Sequence, residues 1–80
     1  MTPIEISEYK NRWMRSGNNY PIDIHSDLRS KAVDYCKVQL LKHQWKHQKY
    51  TDVYQDTFYF EHHQDANSFS KYFKDWVINH

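Results

Sequence analysis

The feature that most constrains this chain is a change of hydrophobic period inside residues 53–77. Phe58 and Phe60 alternate with polar neighbours, which is the period-2 pattern of a half-buried strand. After the polar break at 62–65, the apolar spacing becomes three and four, which marks one face of a helix. The residues of that face are Ala66, Phe69, Phe73, Trp76 and Val77. A strand that runs directly into an amphipathic helix predicts a sheet with a helix packed on one side.

The N-terminal segment is predicted to be a helix over residues 3–16. Thr2 can cap it, Pro3 suits its first position, and Glu5 completes a capping box. Gly17 then ends the helix, because glycine readily adopts the left-handed conformation found there. The face expected to pack on the core carries Ile6, Tyr9 and Trp13.

The next stretch predicts a strand and then a second helix. Residues 20–25 alternate in polarity and contain Pro21, which indicates a short edge strand or an extended connector. A helix follows over 27–42, with Ser26 as its cap and Asp27 in its first turn. The residues at helical spacing are Leu28, Ala32, Tyr35, Cys36, Gln39 and Leu40.

Residues 43–50 leave two alternatives open, an extension of the second helix or a polar strand. We prefer the strand, because Thr51 and Asp52 are typical of a turn before the strand at Val53. Without the first helix the order is then β-α-β-β-α. That order predicts an α+β fold, a ferredoxin-like split βαβ lacking its last strand, with helices on one face of an antiparallel sheet. We expect residues 1–80 to form one small domain.

The composition argues against most kinds of catalytic site. Cys36 is the one cysteine, so neither an intrachain disulfide nor a cysteine-based zinc site is possible within these residues. With one glycine there is no glycine-rich phosphate loop, and the six histidines lack zinc-ligand spacing. We expect these histidines to face solvent or lie in loops. We therefore predict no cofactor, no metal and no enzymatic role, and a buried, inert Cys36.

The sequence also predicts where the protein works. No apolar run is long enough to span a membrane, and the N-terminal residues contain no signal-peptide core. An unpaired thiol suits a reducing compartment. We therefore expect a cytoplasmic protein with no membrane partner.

Aromatic residues make up 18% of the chain, more than a core of this size can hide, and they predict a binding surface. Tyr59 should face away from the helices, with Tyr50 and Lys46 beside it on the neighbouring strand. Such a face favours a homo-oligomer or protein partner. Single-stranded nucleic acid is the alternative, although the net charge is only +1 and no glycine-containing RNP1 pattern is present. A second cluster is formed by Trp13 and Arg12.

Three stretches of sequence carry a resemblance to a known group of proteins. They are TPIEISEYKNRWM, DIHSDL and YTDVYQDTFYFE. Together with the Asp-Ala helix that follows, the chain resembles small uncharacterised proteins of marine T4-like cyanophages. The resemblance implies an infected bacterial cytoplasm and a host-directed or assembly-related protein, and it assigns no role to any residue.

Overall fold

The computed structural model describes residues 2–49 and 54–78, which form three α-helices and one three-stranded antiparallel sheet. The helices are α1 (Pro3–Arg15), α2 (Arg29–Gln39) and α3 (His63–Tyr72). The strands are β1 (Tyr20–His25), β2 (Trp45–Lys49) and β3 (Gln55–Phe60), and 3-10 turns occupy Ser26–Leu28, Lys42–Gln44 and Lys74–Trp76. The predicted α+β class is confirmed. Within the described residues, no helix has the length and apolar content needed to cross a lipid bilayer.

The central strand of the sheet is β3, which pairs with β1 on one side and β2 on the other. Both pairings are antiparallel, and Phe58 lies opposite Ile22 of β1 and His47 of β2. Consequently β1 and β2 run parallel to each other without touching. The pairing of β2 with β3 confirms the strand alternative and the hairpin, whose predicted turn at Thr51 and Asp52 lies outside the described residues.

The core lies on the face of β3 that carries Phe58 and Phe60, under α2 and α3. Both side chains are fully buried, and the Phe69 ring lies 5.2 Å and 4.9 Å from theirs, centre to centre. Burying a phenylalanine of this kind contributes about 1.5–3 kcal/mol. The other members of the core are Ile24, Leu28, Ala32, Cys36, Trp45, Ala66 and Phe73. The change of period in the sequence thus correctly predicted the centre of this core.

Helix α1 begins and ends close to where the sequence predicts. The Glu5 amide donates to the Thr2 hydroxyl oxygen at 3.2 Å, which satisfies one of the free donors of the first turn. Ser16 is the C-terminal cap, and Gly17 follows with φ +77°, a conformation that costs glycine little. Local capping chemistry therefore sets both ends of this helix.

The predicted bounds of the second helix, 27–42, are wrong at each end. Ser26 opens a 3-10 turn instead of capping an α-helix, and Leu28 of that turn is buried in the core. At the other end Leu40 is extended, with ψ 157°, and packs against the core. Contact with the core therefore outweighs the helical spacing of the sequence at both ends.

The C-terminal residues also depart from the prediction. Val77 was expected on the helical face, but α3 has already ended and Val77 is extended. Trp76, expected in the core, is 45% exposed. Val77 instead forms an antiparallel bridge with Ile24, and the Ile78 amide donates to the carbonyl oxygen of Asp23 at 2.8 Å. The outer edge of β1, predicted to lack a neighbouring strand, is thus covered at one point by the chain's own C-terminal segment.

Candidate interaction surfaces

The sheet face turned away from α2 and α3 carries two of the predicted binding residues. Tyr59 and Lys46 are register partners on adjacent strands, so their side chains lie side by side. The Tyr59 ring is half-buried, and its hydroxyl donates to Oε1 of Gln48 at 3.3 Å. Tyr50, the third predicted member, lies outside the described residues.

The centre of this sheet face is polar and closed. Thr57 is only 3% exposed, and its hydroxyl donates to the carboxylate of Asp23 on β1. The register partners of Thr57 are Asp23 on β1 and Gln48 on β2, so polar side chains flank it on both sides. Among the described residues, Tyr59 is therefore the aromatic ring that β2 and β3 offer on this side.

The second predicted cluster lies on α1. Trp13 is 6% exposed, and its indole N–H donates to the carbonyl oxygen of His43 at 3.0 Å. Trp13 is buried, as the sequence predicts, but it lies outside the central cluster of the core, and its ring anchors α1 to the turn Lys42–Gln44. Arg12 is exposed, and its guanidinium lies 5.9 Å from the Tyr9 ring centre. Sequence reasoning placed both residues in one cluster, but Arg12 alone projects into water.

A cavity of about 320 Å³ separates α1 from the end of β3. Tyr9, Arg12, Ser16 and Glu61 contribute polar groups to its lining. A hydrogen bond to Glu61, burial and the charge of Glu61 together raise the pKa of Tyr9, against an opposing effect of Arg12. The Tyr9 hydroxyl is therefore protonated at neutral pH and acts as a donor to Glu61.

A groove of about 370 Å³ runs between α2 and α3 on the outside of the helical layer. Its wall combines Tyr35, whose ring lies 4.8 Å from that of Tyr72, with Val38 and Phe73. Val38 is 79% exposed and Tyr72 is 69% exposed. Lys31 and Asp34 also line the groove. This surface was missed by sequence reasoning, because its two halves lie on helices that are far apart in the chain.

A buried carboxylate joins three elements on the helical side of the sheet. Asp56 is fully buried, and its Oδ1 accepts a hydrogen bond from Nε of Arg29 at 3.0 Å and lies 2.8 Å from Nε2 of His47. Burial raises the pKa of Asp56, but hydrogen bonds from Arg29, His47 and Ser26 and the charge of Arg29 outweigh it, so the pKa lies below its usual value. The carboxylate therefore ties α2, β2 and β3 together as an anion.

The prediction that the histidines face solvent or lie in loops is wrong for His47. Its ring is half-buried in β2 and stacks on Phe58, with the ring centres 4.7 Å apart. The available signal was Asp56, a carboxylate in the middle of a strand of apolar alternation. Its partners could not be named from sequence, since His47 and Asp56 lie diagonally across a strand pair.

Two further groups that could carry chemistry have inert settings. Cys36 is fully buried, as predicted, and burial raises its pKa to about 12, so the thiol stays protonated at neutral pH. Within residues 2–49 and 54–78, no three His, Cys, Asp or Glu side chains lie close enough to hold a metal ion.

Comparisons with family models, with curated proteins and with solved structures find no match to this chain.

Proposed function

We propose that this is a small non-enzymatic interaction protein that self-associates through aromatic surface. The groove between α2 and α3 carries the proposal. Val38 and Tyr72 expose most of their apolar surface there, next to the ring of Tyr35. Tyrosine at the centre of an apolar groove is typical of interface hot spots. The sheet face was the surface favoured from sequence, and its polar, closed centre leads us to place the interface on the helices instead.

The charges on the groove suit a second copy of the same chain. Lys31 and Asp34 lie one turn apart on α2 and line the same groove. A two-fold axis that passes between these two residues would place Lys31 of each copy opposite Asp34 of the other, since an isologous interface repeats every contact. Exposed pairs of this kind contribute at most about 1 kcal/mol each, so they set the register while the rings supply the affinity.

Size-exclusion chromatography with light scattering tests this proposal. The wild-type protein should be a dimer at high micromolar concentration, and Val38→Glu or Tyr72→Glu should be monomeric while its circular dichroism spectrum stays that of the folded protein. Ile4→Glu is the matched control, because Ile4 is 71% exposed on α1 and should leave the dimer intact. A strictly monomeric wild type would refute self-association. A dimer that tolerates both groove variants would refute this surface.

The alternative function is binding of single-stranded nucleic acid through the sheet face. One observation favours it: Lys46 and Tyr59 are register partners on adjacent strands, which puts a basic and an aromatic residue side by side on this face. An oligothymidine should then bind at about 50 mM salt, where phosphate contacts are strong, and Tyr59→Ala should weaken that binding. Absence of binding at that salt concentration would exclude the alternative.

We propose further that the fold is ferredoxin-like and the setting a phage-infected bacterial cytoplasm. The strand order supports the first point, because β3 separates the parallel strands β1 and β2 of a β-α-β unit. The bridge between Val77 and Ile24 lies where a fourth strand would pair with β1. The second point is supported by the resemblance in sequence alone.

A further inference from the structure

The positive charge of this nearly neutral chain is concentrated around β2. Residues 35–49 contain no aspartate or glutamate. They contain the four lysines Lys37, Lys42, Lys46 and Lys49. Since acidic residues elsewhere bring the net charge to +1, this segment is a local excess that the overall composition conceals.

Lys42, Lys46 and a third lysine from α1, Lys10, belong to elements that meet at the start of β2, and we call these three residues the basic cluster. Lys10 of α1 lies over the Trp45 ring, with Nζ 5.5 Å from the ring centre. Lys42 belongs to the turn that leads into β2, and Lys46 is the second residue of the strand. Burial and the charges of Lys46 and Lys42 lower the pKa of Lys10.

Among the described residues the basic cluster forms no ion pair. The ion pairs there involve Asp56 with Arg29 and His47, and Glu61 with His62, and none includes these lysines. An anionic partner would stabilise lysines that lack an ion-paired carboxylate.

Beside the cluster lies an open strand edge. The only strand of residues 2–49 and 54–78 that pairs with β2 is β3, so none of these residues pairs with the outer side of β2. The opposite edge of the sheet differs, because Val77 bridges to β1 there. An unpaired edge can accept an added strand through its backbone donors and acceptors.

The charges decide which strand could be added. Pairing of two β2 edges around a two-fold axis would bring Lys46 and Lys49 of both copies together, and like charges across a strand pair are destabilising. For the same reason, lysines on an edge strand prevent identical sheets from pairing edge to edge. An extended segment with acidic residues at alternate positions could instead form backbone hydrogen bonds with the edge of β2 and ion pairs with its lysines.

We propose that the outer edge of β2, with the basic cluster, binds an extended acidic segment of another protein by strand addition. This surface is separate from the groove between α2 and α3, so the proposal does not depend on self-association. Carboxylates on the side of Lys46 would approach the Lys46 amine. Apolar residues on the alternate side would continue the face of Trp45, where Lys10 also lies.

Fluorescence anisotropy with a labelled peptide of alternating glutamate and valine tests the proposal. The peptide should bind wild type at about 10 mM ionic strength and lose affinity towards about 1 M, as screening shortens the reach of the charges. Lys42→Glu with Lys46→Glu should weaken binding by at least about tenfold. The double variant Lys42→Gln with Lys46→Gln should weaken peptide binding less. It places no new anion near Glu61, so it provides the test if the double glutamate variant does not fold.

The matched control is Lys71→Glu with Lys74→Glu, which changes the net charge equally on the helical side and should retain binding. A peptide with N-methylated backbone should bind weakly, because strand addition needs its amide donors. The proposal fails if no peptide binds at low ionic strength, if the control weakens binding equally, or if N-methylation has no effect. Binding of oligothymidine with the same lysine dependence but no binding of peptide would also overturn it, in favour of a phosphate site.

Discussion

Removing the charge of Asp56 should destabilise the whole domain. The carboxylate is fully buried and serves two partners, Arg29 at 3.0 Å and His47 at 2.8 Å. Hydrogen bonds to a charged group contribute about 1.5–3 kcal/mol each. Arg29 is 34% exposed, so water compensates in part for the loss of its interaction with the carboxylate. We therefore expect Asp56→Asn to lower the free energy of unfolding by about 3 kcal/mol.

That loss is large for a chain of 80 residues, whose free energy of unfolding is expected at about 4–12 kcal/mol. The melting temperature should fall by about 12–24 °C, measured by circular dichroism, with urea unfolding giving the free energy directly. Asp75→Asn is the control, because Asp75 is exposed and forms no ion pair among the described residues, so its effect should stay within about 0.5 kcal/mol.

The same carboxylate predicts how stability depends on pH. The pKa of Asp56 is lower in the folded protein than the unfolded value of about 3.9, so the unfolded chain binds more protons in acid. The contribution of Asp56 is therefore fully present above about pH 4 to 5 and is lost as the pH falls through the folded pKa. Asp56→Asn should flatten this acid limb. A loss below about 0.5 kcal/mol together with an unchanged acid limb would refute the reasoning.

Two further predictions concern the thiol and the C-terminal bridge. Cys36 should not react with a thiol reagent such as dithionitrobenzoate at pH 8 until urea unfolds the domain, because the thiol is buried and its pKa is about 12. Rapid labelling of the native protein would contradict this burial. Ile78→Pro should lower the free energy of unfolding by about 1 kcal/mol, because it removes the amide that donates to the Asp23 carbonyl oxygen. The proline itself should cause no strain, since Val77 at ψ 132° is compatible with a following proline. Ile78→Val keeps the amide and should have the melting temperature of the wild type. Equal melting temperatures for the two variants would show that this hydrogen bond does not stabilise the fold.

The elements that could be predicted from sequence are those set by neighbours along the chain. Thr2 and Gly17 define α1 through caps that need no tertiary contact, and the change of period predicts the burial of Phe58 and Phe69. The early end of α2 could not be predicted, since Leu40 leaves the helix to reach the core.

The binding surfaces show the same division. Lys46 and Tyr59 were correctly placed on one sheet face, because alternation along a strand assigns each side chain to a face. The groove of Val38 and Tyr72 depends on how two distant helices lie against each other, which no local pattern specifies. The partners of Asp56 likewise depend on the three-dimensional arrangement of α2 and β2.

The central position of β3 has a consequence for the order of folding. Neither β1 nor β2 has the other as a neighbour, so neither belongs to a sheet until β3 is present. On the ribosome, Tyr20 must wait until its partner Phe60 has been synthesised, and the apolar side of β1 stays uncovered during that time. Closing such long loops slows folding, so we expect slower folding than in a helical bundle of equal length. Helix α1, capped by its own neighbours, is the element that can form while the chain waits.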